Sequence, residues 1–390
     1  MFLICSINRR SKIKKGKTLM KKAEQAVRNI FSLADINING ERVFDIQISR
    51  PEFYERFLAD GVIGFGESYM EGWWDCEALD VMIDKVLRAD LEHAVSPYKM
   101  ILPFVLSKVI NHQRRSRAFK IGEFHYDLGN DLYQKMLDKR MTYTCGYWKN
   151  AHDLESAQEA KLDLVCRKMG LQPGMRVLDI GCGWGSFAAF AAEKYKVQVL
   201  GVTVSKEQIE LGQQMCHGLD VELRLQDYRD VSGQFDRIVS LGMFEHVGLK
   251  NYATYMQQVR RLLVDDGLFL LHTIGTNTPK TSVDPWTDKY IFPGGMLPTI
   301  KQIATASEGV FVTEDLHNFG TDYDRTLMAW MANVDANKTA LKQTGYDEHF
   351  YRMWRFFLLG AAGGFRSHRN HLWQIVYSKR GVDNGYRSIR

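Results

Sequence analysis

The chain has no apolar run near the roughly 20 residues that a membrane-spanning helix needs. Its longest, Phe356 to Phe365, is ten residues and is diluted by glycine. Its six cysteines show neither metal-ligand spacing nor a pattern of pairs. That absence argues against a zinc module and a disulfide scaffold, and it predicts a reducing, cytoplasmic home. Internal repeats and low-complexity tracts are missing too, which excludes solenoid and fibrous architectures. Met1 to Ile7 is apolar, but positive charges follow it, the reverse of a secretory signal.

What is present suits a globular enzyme larger than one average domain: 390 residues, 45% hydrophobic and 25% charged. Charge is unevenly placed. Residues 1 to 30 hold nine Lys and Arg against the single acid Glu24, a net +8, whereas the whole chain is +5. A second basic stretch, Lys108, Arg114, Arg115, Arg117 and Lys120, contains no acid. Such runs read as a solvated tail or as attraction to anionic lipid headgroups, on the order of 1 kcal/mol per basic residue near a surface. No nucleic-acid module accompanies them, so nucleic acid is not an expected partner.

Four units are expected: a basic extension at 1–19, a small N-terminal domain at 20–95, a basic linker at 96–120 and a catalytic domain at 121–390. In the small domain Ile36, Ile38, Val43, Ile46 and Ile48 suggest short strands, and Gly61 to Gly66 a flexible turn. Glu67 to Trp74 crowds aromatics and acids, which reads first as core packing. The larger unit alternates apolar strands with helices, the signature of an α/β doubly wound parallel sheet. Strands are expected at 177–179, 197–202, 221–225, 235–241 and 267–272, with later ones near 311–314 and 372–378. Helices are expected at 184–194, 206–216 and 251–263, and Ser205 with Gln208 has capping-box spacing for the second.

One segment narrows the chemistry most. After the first strand of that unit, Asp179 is followed by Gly181, Gly183 and Gly185 with Cys182 between them, then an alanine-rich helix. Glycines there let the backbone turn sharply and approach a ligand closely. The spacing is not the G-x-G-x-x-G of a pyrophosphate cradle. It resembles motif I of the S-adenosylmethionine-dependent methyltransferases, implying a Rossmann-like fold of that class. In such sheets ligands bind beyond the carboxyl ends of the strands. That rule places Thr203 and Gln208 after the second strand, where an acid for ribose hydroxyls is missing. Gln226, Asp227 and Tyr228 follow the third, with the carboxylate facing an adenine amino group and the ring stacking on the base. Glu245 follows the fourth and His272 the fifth. A lone histidine or a helix-capping glutamate is a structural residue more often than a catalytic one; their convergence on one edge is what singles them out.

Over residues 30 to the C-terminus the chain resembles the cyclopropane-fatty-acyl-phospholipid synthases and, more distantly, the mycolic acid cyclopropane synthases. The segments that carry this are Gly66 to Trp74, His125 to Asn130, Leu178 to Gly185, Gly242 to Gly248, His272 to Gly275, Lys289 to Pro293 and Asn318 to Gly320. Residues 1–19 have no counterpart in it. The resemblance implies S-adenosylmethionine, a bound bicarbonate and the cis alkene of a phospholipid acyl chain as substrate. It places bicarbonate on Cys145, Glu245, His272, Tyr323 and the backbone of Ile274. Tyr143 and Thr144 correspond to a tyrosine–serine pair beside the methionine part of the cofactor. No metal is implied. Phe244, Tyr290 and Tyr143 are read either as faces for a carbocation or as acyl-tunnel lining. Peripheral attachment to the inner membrane face and a homodimer are expected. Two other readings stay open: a methyltransferase acting on another lipid or a small amine without ring closure, and a non-catalytic lipid-binding relative.

Overall fold

The computed structural model describes residues 20–90 and 129–390. The basic extension, residues 91–95, the linker at 96–120 and residues 121–128, with most of the His125 to Asn130 segment, lie outside the described residues.

The N-terminal part is mainly helical: residues 20–32, Phe53–Asp60, Val62–Met70 and Leu79–Arg88. Two short strands, β1 (Gln47–Ile48) and β2 (Trp74–Asp75), pair antiparallel, and Ile38 bridges Ile46. Val43 is exposed, so the expected strands shrink to this ribbon. The Gly61 to Gly66 turn is also corrected. Only Gly61 breaks the chain, at φ +59°, between two helices. Gly64 and Gly66 lie inside the second helix because side chains would not fit there. A Cβ on Gly66 would lie 2.4 Å from Trp286 Cδ1 and one on Gly64 2.6 Å from the Arg56 carbonyl. Gly66→Ala should therefore cost about 1–3 kcal/mol through overpacking, read as a lower denaturant midpoint. An unchanged midpoint would show that Trp286 yields.

The larger part builds a sheet from β3 (Arg176–Ile180), β4 (Gln198–Thr203), β5 (Val221–Leu225), β6 (Phe235–Leu241), β7 (Leu263–Thr276), β8 (Val312–Asn318) and β9 (Asn370–Ser378). Their order is β5-β4-β3-β6-β7-β9-β8. The first five in this order are parallel, as expected, whereas β9 runs antiparallel to both β7 and β8. The sheet is thus mixed at one edge. Glu348–Arg366 runs straight into β9 through a tight turn containing His368 at φ +60°.

Alternation along the strands assigns the two faces. Val177, Val239, Leu270 and Val376 pack with the helices Leu154–Lys168 and Ser186–Tyr195. Leu178, Ile238, Phe269, Leu271 and Ile375 pack with Tyr252–Leu262 and Ile300–Ser307 on the other face. Each such buried side chain contributes about 1.5–3 kcal/mol relative to exposure. Leu154–Lys168 starts at a capping box made by Asp153 and Ser156, Ile300–Ser307 at one made by Thr299 and Gln302. The expected box at Ser205 is only half formed. Ser205 accepts from the Gln208 N–H, but the Gln208 side chain turns to Thr203 instead.

A third apolar cluster covers the carboxyl edge of the sheet. It runs without interruption from Val27 and Phe65 through Trp286 and Trp184 to the helices Thr321–Ala336 and Glu348–Arg366. Glu67 accepts from both Lys289 Nζ (2.7 Å) and Tyr290 OH (2.9 Å), so the N-terminal part is pinned to the segment that follows β7.

Candidate active site

Gly181, Gly183 and Gly185 all have positive φ (81°, 57° and 82°), which is why the loop after β3 needs glycine. The helix behind it starts at Gly185 with no side-chain cap, leaving backbone donors at the loop. A Cβ on Gly181 would lie 2.7 Å from Met243 Cβ, so the loops after β3 and β6 touch. Space opens only at Gly183, whose nearest neighbour is Gln208 Nε2 at 3.9 Å. Beneath the loop, the buried Asp179 carboxylate has no hydrogen-bond partner for either oxygen among the described residues. Burial pushes it up to about 7, opposed by the Lys161 charge. Cys182 is buried, and burial holds its thiol protonated.

Along the strand ends, Thr203 Oγ1 donates to Gln208 Oε1 at 2.8 Å, and the Gln226 N–H donates to the Thr203 carbonyl at 2.9 Å. Asp227 is clasped by Arg229, whose Nε donates at 2.8 Å and whose backbone N–H donates at 2.9 Å. Its carboxylate is therefore already engaged where the sequence reading assigned it to an adenine. The Tyr228 ring packs edge-on to Tyr255.

The loop after β6 meets β7 directly. The Gly242 N–H donates to the His272 carbonyl at 2.9 Å, and Leu241 pairs with His272 across the sheet. Glu245 Oε1 accepts the Ile274 N–H at 2.7 Å, the Thr273 hydroxyl also acts on this carboxylate, and Oε2 is buried with no hydrogen-bond partner within contact distance among the described residues. Burial raises Glu245 to about 7. His272 is 1% exposed, and burial keeps it neutral. Gln374 Nε2 lies 3.2 Å from its Nδ1; an amide donor there leaves the imidazole proton on Nε2, which has no partner among the described residues. Glu245 thus offers a bare acceptor and His272 a bare donor on one edge.

Cys145 is fully buried, its Sγ 3.1 Å from the Gly146 carbonyl and 4.0 Å from Thr326 Oγ1. Burial holds the thiol protonated, which suits a site wall and not a nucleophile. Tyr323 is buried against Phe365 and Trp330, and its hydroxyl feels both Cys145 and Glu245. Tyr143 packs on Tyr133 and Trp330, and Thr144 reaches Gly242. The structure therefore draws Thr144, Asp179, the glycine loop, Glu245, His272 and Ile274 to one edge. Cys145 and Tyr323 close it from the apolar third cluster. Phe244 is corrected: it is stacked on Tyr252 at 4.1 Å, inside the core of the opposite face. The short turn Phe244–His246 sends it inward.

Sequence reasoning missed Lys161, Gln158 and Gln374, all fully buried. The signal for Lys161 is a lysine spaced four residues from Ala157 and three from Leu164, on the apolar stripe of its helix. Among the described residues no cluster suited to a metal ion is found.

A family profile described as mycolic acid cyclopropane synthetase matches residues 113–375. The chain is 52% identical to the cyclopropane-fatty-acyl-phospholipid synthase of Escherichia coli strain K12, over 93% of its own length and 94% of that relative. It is 37% identical to a probable fatty acid methyltransferase of Pseudomonas putida, over 70% of the chain and 72% of the relative. A solved mycolic acid cyclopropane synthase, complexed with SAH and CTAB, matches with a TM-score of 0.63 at 35% identity. The match covers 67% of this chain and 98% of that one.

Proposed function

The chain belongs to the mycolic acid cyclopropane synthetase family, and from that premise we propose that Glu245, His272, Cys145, Ile274 and Tyr323 hold a bicarbonate ion beside an S-adenosylmethionine site. The enzyme is an S-adenosylmethionine-dependent methyltransferase that builds a cyclopropane ring on a lipid acyl chain. The acceptor is the cis double bond of an unsaturated phospholipid.

The observation that carries the anion site is the pair of unsatisfied buried atoms, Glu245 Oε2 and His272 Nε2. Buried polar groups without partners are rare and call for a ligand or water. An ion with one O–H and several bare oxygens matches an acceptor and a donor at the same sheet edge, whereas a carboxylate alone would be repelled by an ionised Glu245. Bound bicarbonate supplies a base for the proton that ring closure must remove. Tyr323 keeps its hydroxyl proton, because burial raises it, and so remains able to donate and to relay. Cys145 excludes water from that side.

The methyl donor fits equally. Asp179 offers two unsatisfied oxygens for an amino group, and the Gly183 face leaves room for a ligand. Bound S-adenosylmethionine supplies an electrophilic methyl. Tyr143 and Thr144 would flank its methionine part, and Thr203, Gln208, Gln226, Asp227 and Tyr228 its adenosine. An alkene is a weak nucleophile, so holding it in line is the main task, worth roughly 7–11 kcal/mol in well-oriented systems.

The test is incubation with S-adenosylmethionine and unsaturated phospholipid vesicles, followed by fatty-acid mass spectrometry. A ring product is expected, and turnover should fall when bicarbonate is stripped from the buffer and recover when it is restored. Turnover indifferent to bicarbonate overturns the anion site. The Pseudomonas relative's name favours one rival outcome, a methyl-branched chain, which differs from the ring in its hydrogens.

No helix among the described residues is long and apolar enough to cross a membrane. The reading extends to peripheral binding at the inner membrane face through the basic segments and the N-terminal part, as a homodimer. Flotation on anionic vesicles should weaken as salt screens the headgroups; equal binding at low and high salt contradicts it.

A further inference from the structure

Lys161 is fully buried, and among the described residues it forms no ion pair within contact distance, although the charges of Asp138 and Asp179 reach it. Its neighbours on the helix, Ala157, Leu162, Leu164 and Val165, are all inaccessible. Its Nζ donates to Thr144 Oγ1 at 2.8 Å, and no carboxylate among the described residues pairs with it. One turn earlier, Gln158 Nε2 donates to the Thr144 carbonyl at 2.7 Å. The helix therefore grips Thr144 by both its oxygens.

The chemistry of that grip is directional. An ammonium group has only donors. The Thr144 hydroxyl must accept from Lys161, so its own hydrogen points elsewhere. Thr144 Cγ2 lies against Gly242, on the loop that carries Glu245, which puts this residue at the rim of the site. The titratable groups that Lys161 faces are the carboxylates Asp138 and Asp179 and the neutral Cys145 and His272. Of these Asp138 is occupied by Thr142, whose N–H donates at 2.8 Å, while both Asp179 oxygens are unpartnered. A cation and a carboxylate that has no hydrogen-bond partner among the described residues thus lie within electrostatic reach of each other, the pattern that would read the two ends of an amino acid.

We propose that Lys161 is a positioning residue that turns Thr144 into an obligate donor, so that the pocket selects its ligand by the carboxylate of the amino-acid end. The Lys161 charge adds attraction for that carboxylate in a dry setting, and Asp179 takes the adjacent amino group. This rests on the reading of Thr144 as a neighbour of the methionine part. A purely structural lysine would hold residues 142–146 to the helix and would affect every ligand alike.

Calorimetric titration of the full chain with S-adenosylhomocysteine and with its decarboxylated analogue separates the two. Wild type should prefer the carboxylate-bearing ligand. In Lys161→Met and Lys161→Gln that preference should fall by about tenfold, the scale of one charge-assisted hydrogen bond, with the analogue's affinity unchanged. Thr144→Val should lose the preference as well. If Thr144→Val loses it while both Lys161 variants keep it, the inference is overturned and the reading of Thr144 stands. If Thr144→Val keeps it, that reading falls, and the inference with it.

Discussion

Glu245→Gln should lower turnover by about 10²–10⁴, the range of a lost acid–base function, while S-adenosylhomocysteine affinity stays within roughly twofold, since no cofactor contact is removed. Gln keeps an acceptor for the Ile274 N–H, so the fold of the β7 end survives. It replaces the bare Oε2 by an amide donor, which can no longer receive an O–H. Single-turnover rates and binding, measured on the same preparation, check this. A variant that turns over normally removes Glu245 from the chemistry.

The same substitution has a signature in stability. Burial raises Glu245 from its ordinary 4.5 to about 7. Within that window the folded chain holds a proton that the unfolded chain has released, so stability falls as pH rises through it. The Gln variant should lose that slope, and its unfolding midpoint should drop less than that of wild type between the two values. Equal slopes would show that Glu245 ionises in the folded protein as it does in water.

Asp179→Asn should weaken S-adenosylhomocysteine binding by roughly 10–100-fold, since a hydrogen bond to a charged group is worth about 1.5–3 kcal/mol. Its two oxygens have no other partner among the described residues, so the loss falls on the ligand and not on the fold. Asn is close in shape, and the glycine loop above it keeps its backbone bonds from Gly181 and Cys182 to the Val202 carbonyl. Turnover at saturating cofactor should change far less than affinity. Unaltered affinity would show that Asp179 serves the loop alone.

The parallel half of the sheet was legible because buried parallel strands read as short apolar runs with little else to mimic them. Val177 to Ile180, the Ile238–Val239 pair and Leu268 to Leu271 are of that kind, and glycines with positive φ follow the first. The helix Glu348–Arg366 was not legible. Gly360, Gly363 and Gly364 dilute its apolar run, yet in the structure Gly363 admits the backbone of Asp80 and Asp84 at 2.8–2.9 Å from a built Cβ. Glycine there marks a close approach between helices, which local propensity reads as a break. Phe244 and Glu245 are neighbours in sequence, and only the turn they occupy sends one into the core and the other to the site.

By itself, then, the sequence determined the strand–glycine–helix unit, the edge on which ligands bind and the family, because these depend on runs of adjacent residues. The tertiary structure alone decided which polar atoms are left without partners there. That Glu245 Oε2, His272 Nε2 and both Asp179 oxygens lack them among the described residues, and that Lys161 stands behind Thr144, follows from burial by elements distant in the chain, since desolvation is a property of the surroundings and not of the residue.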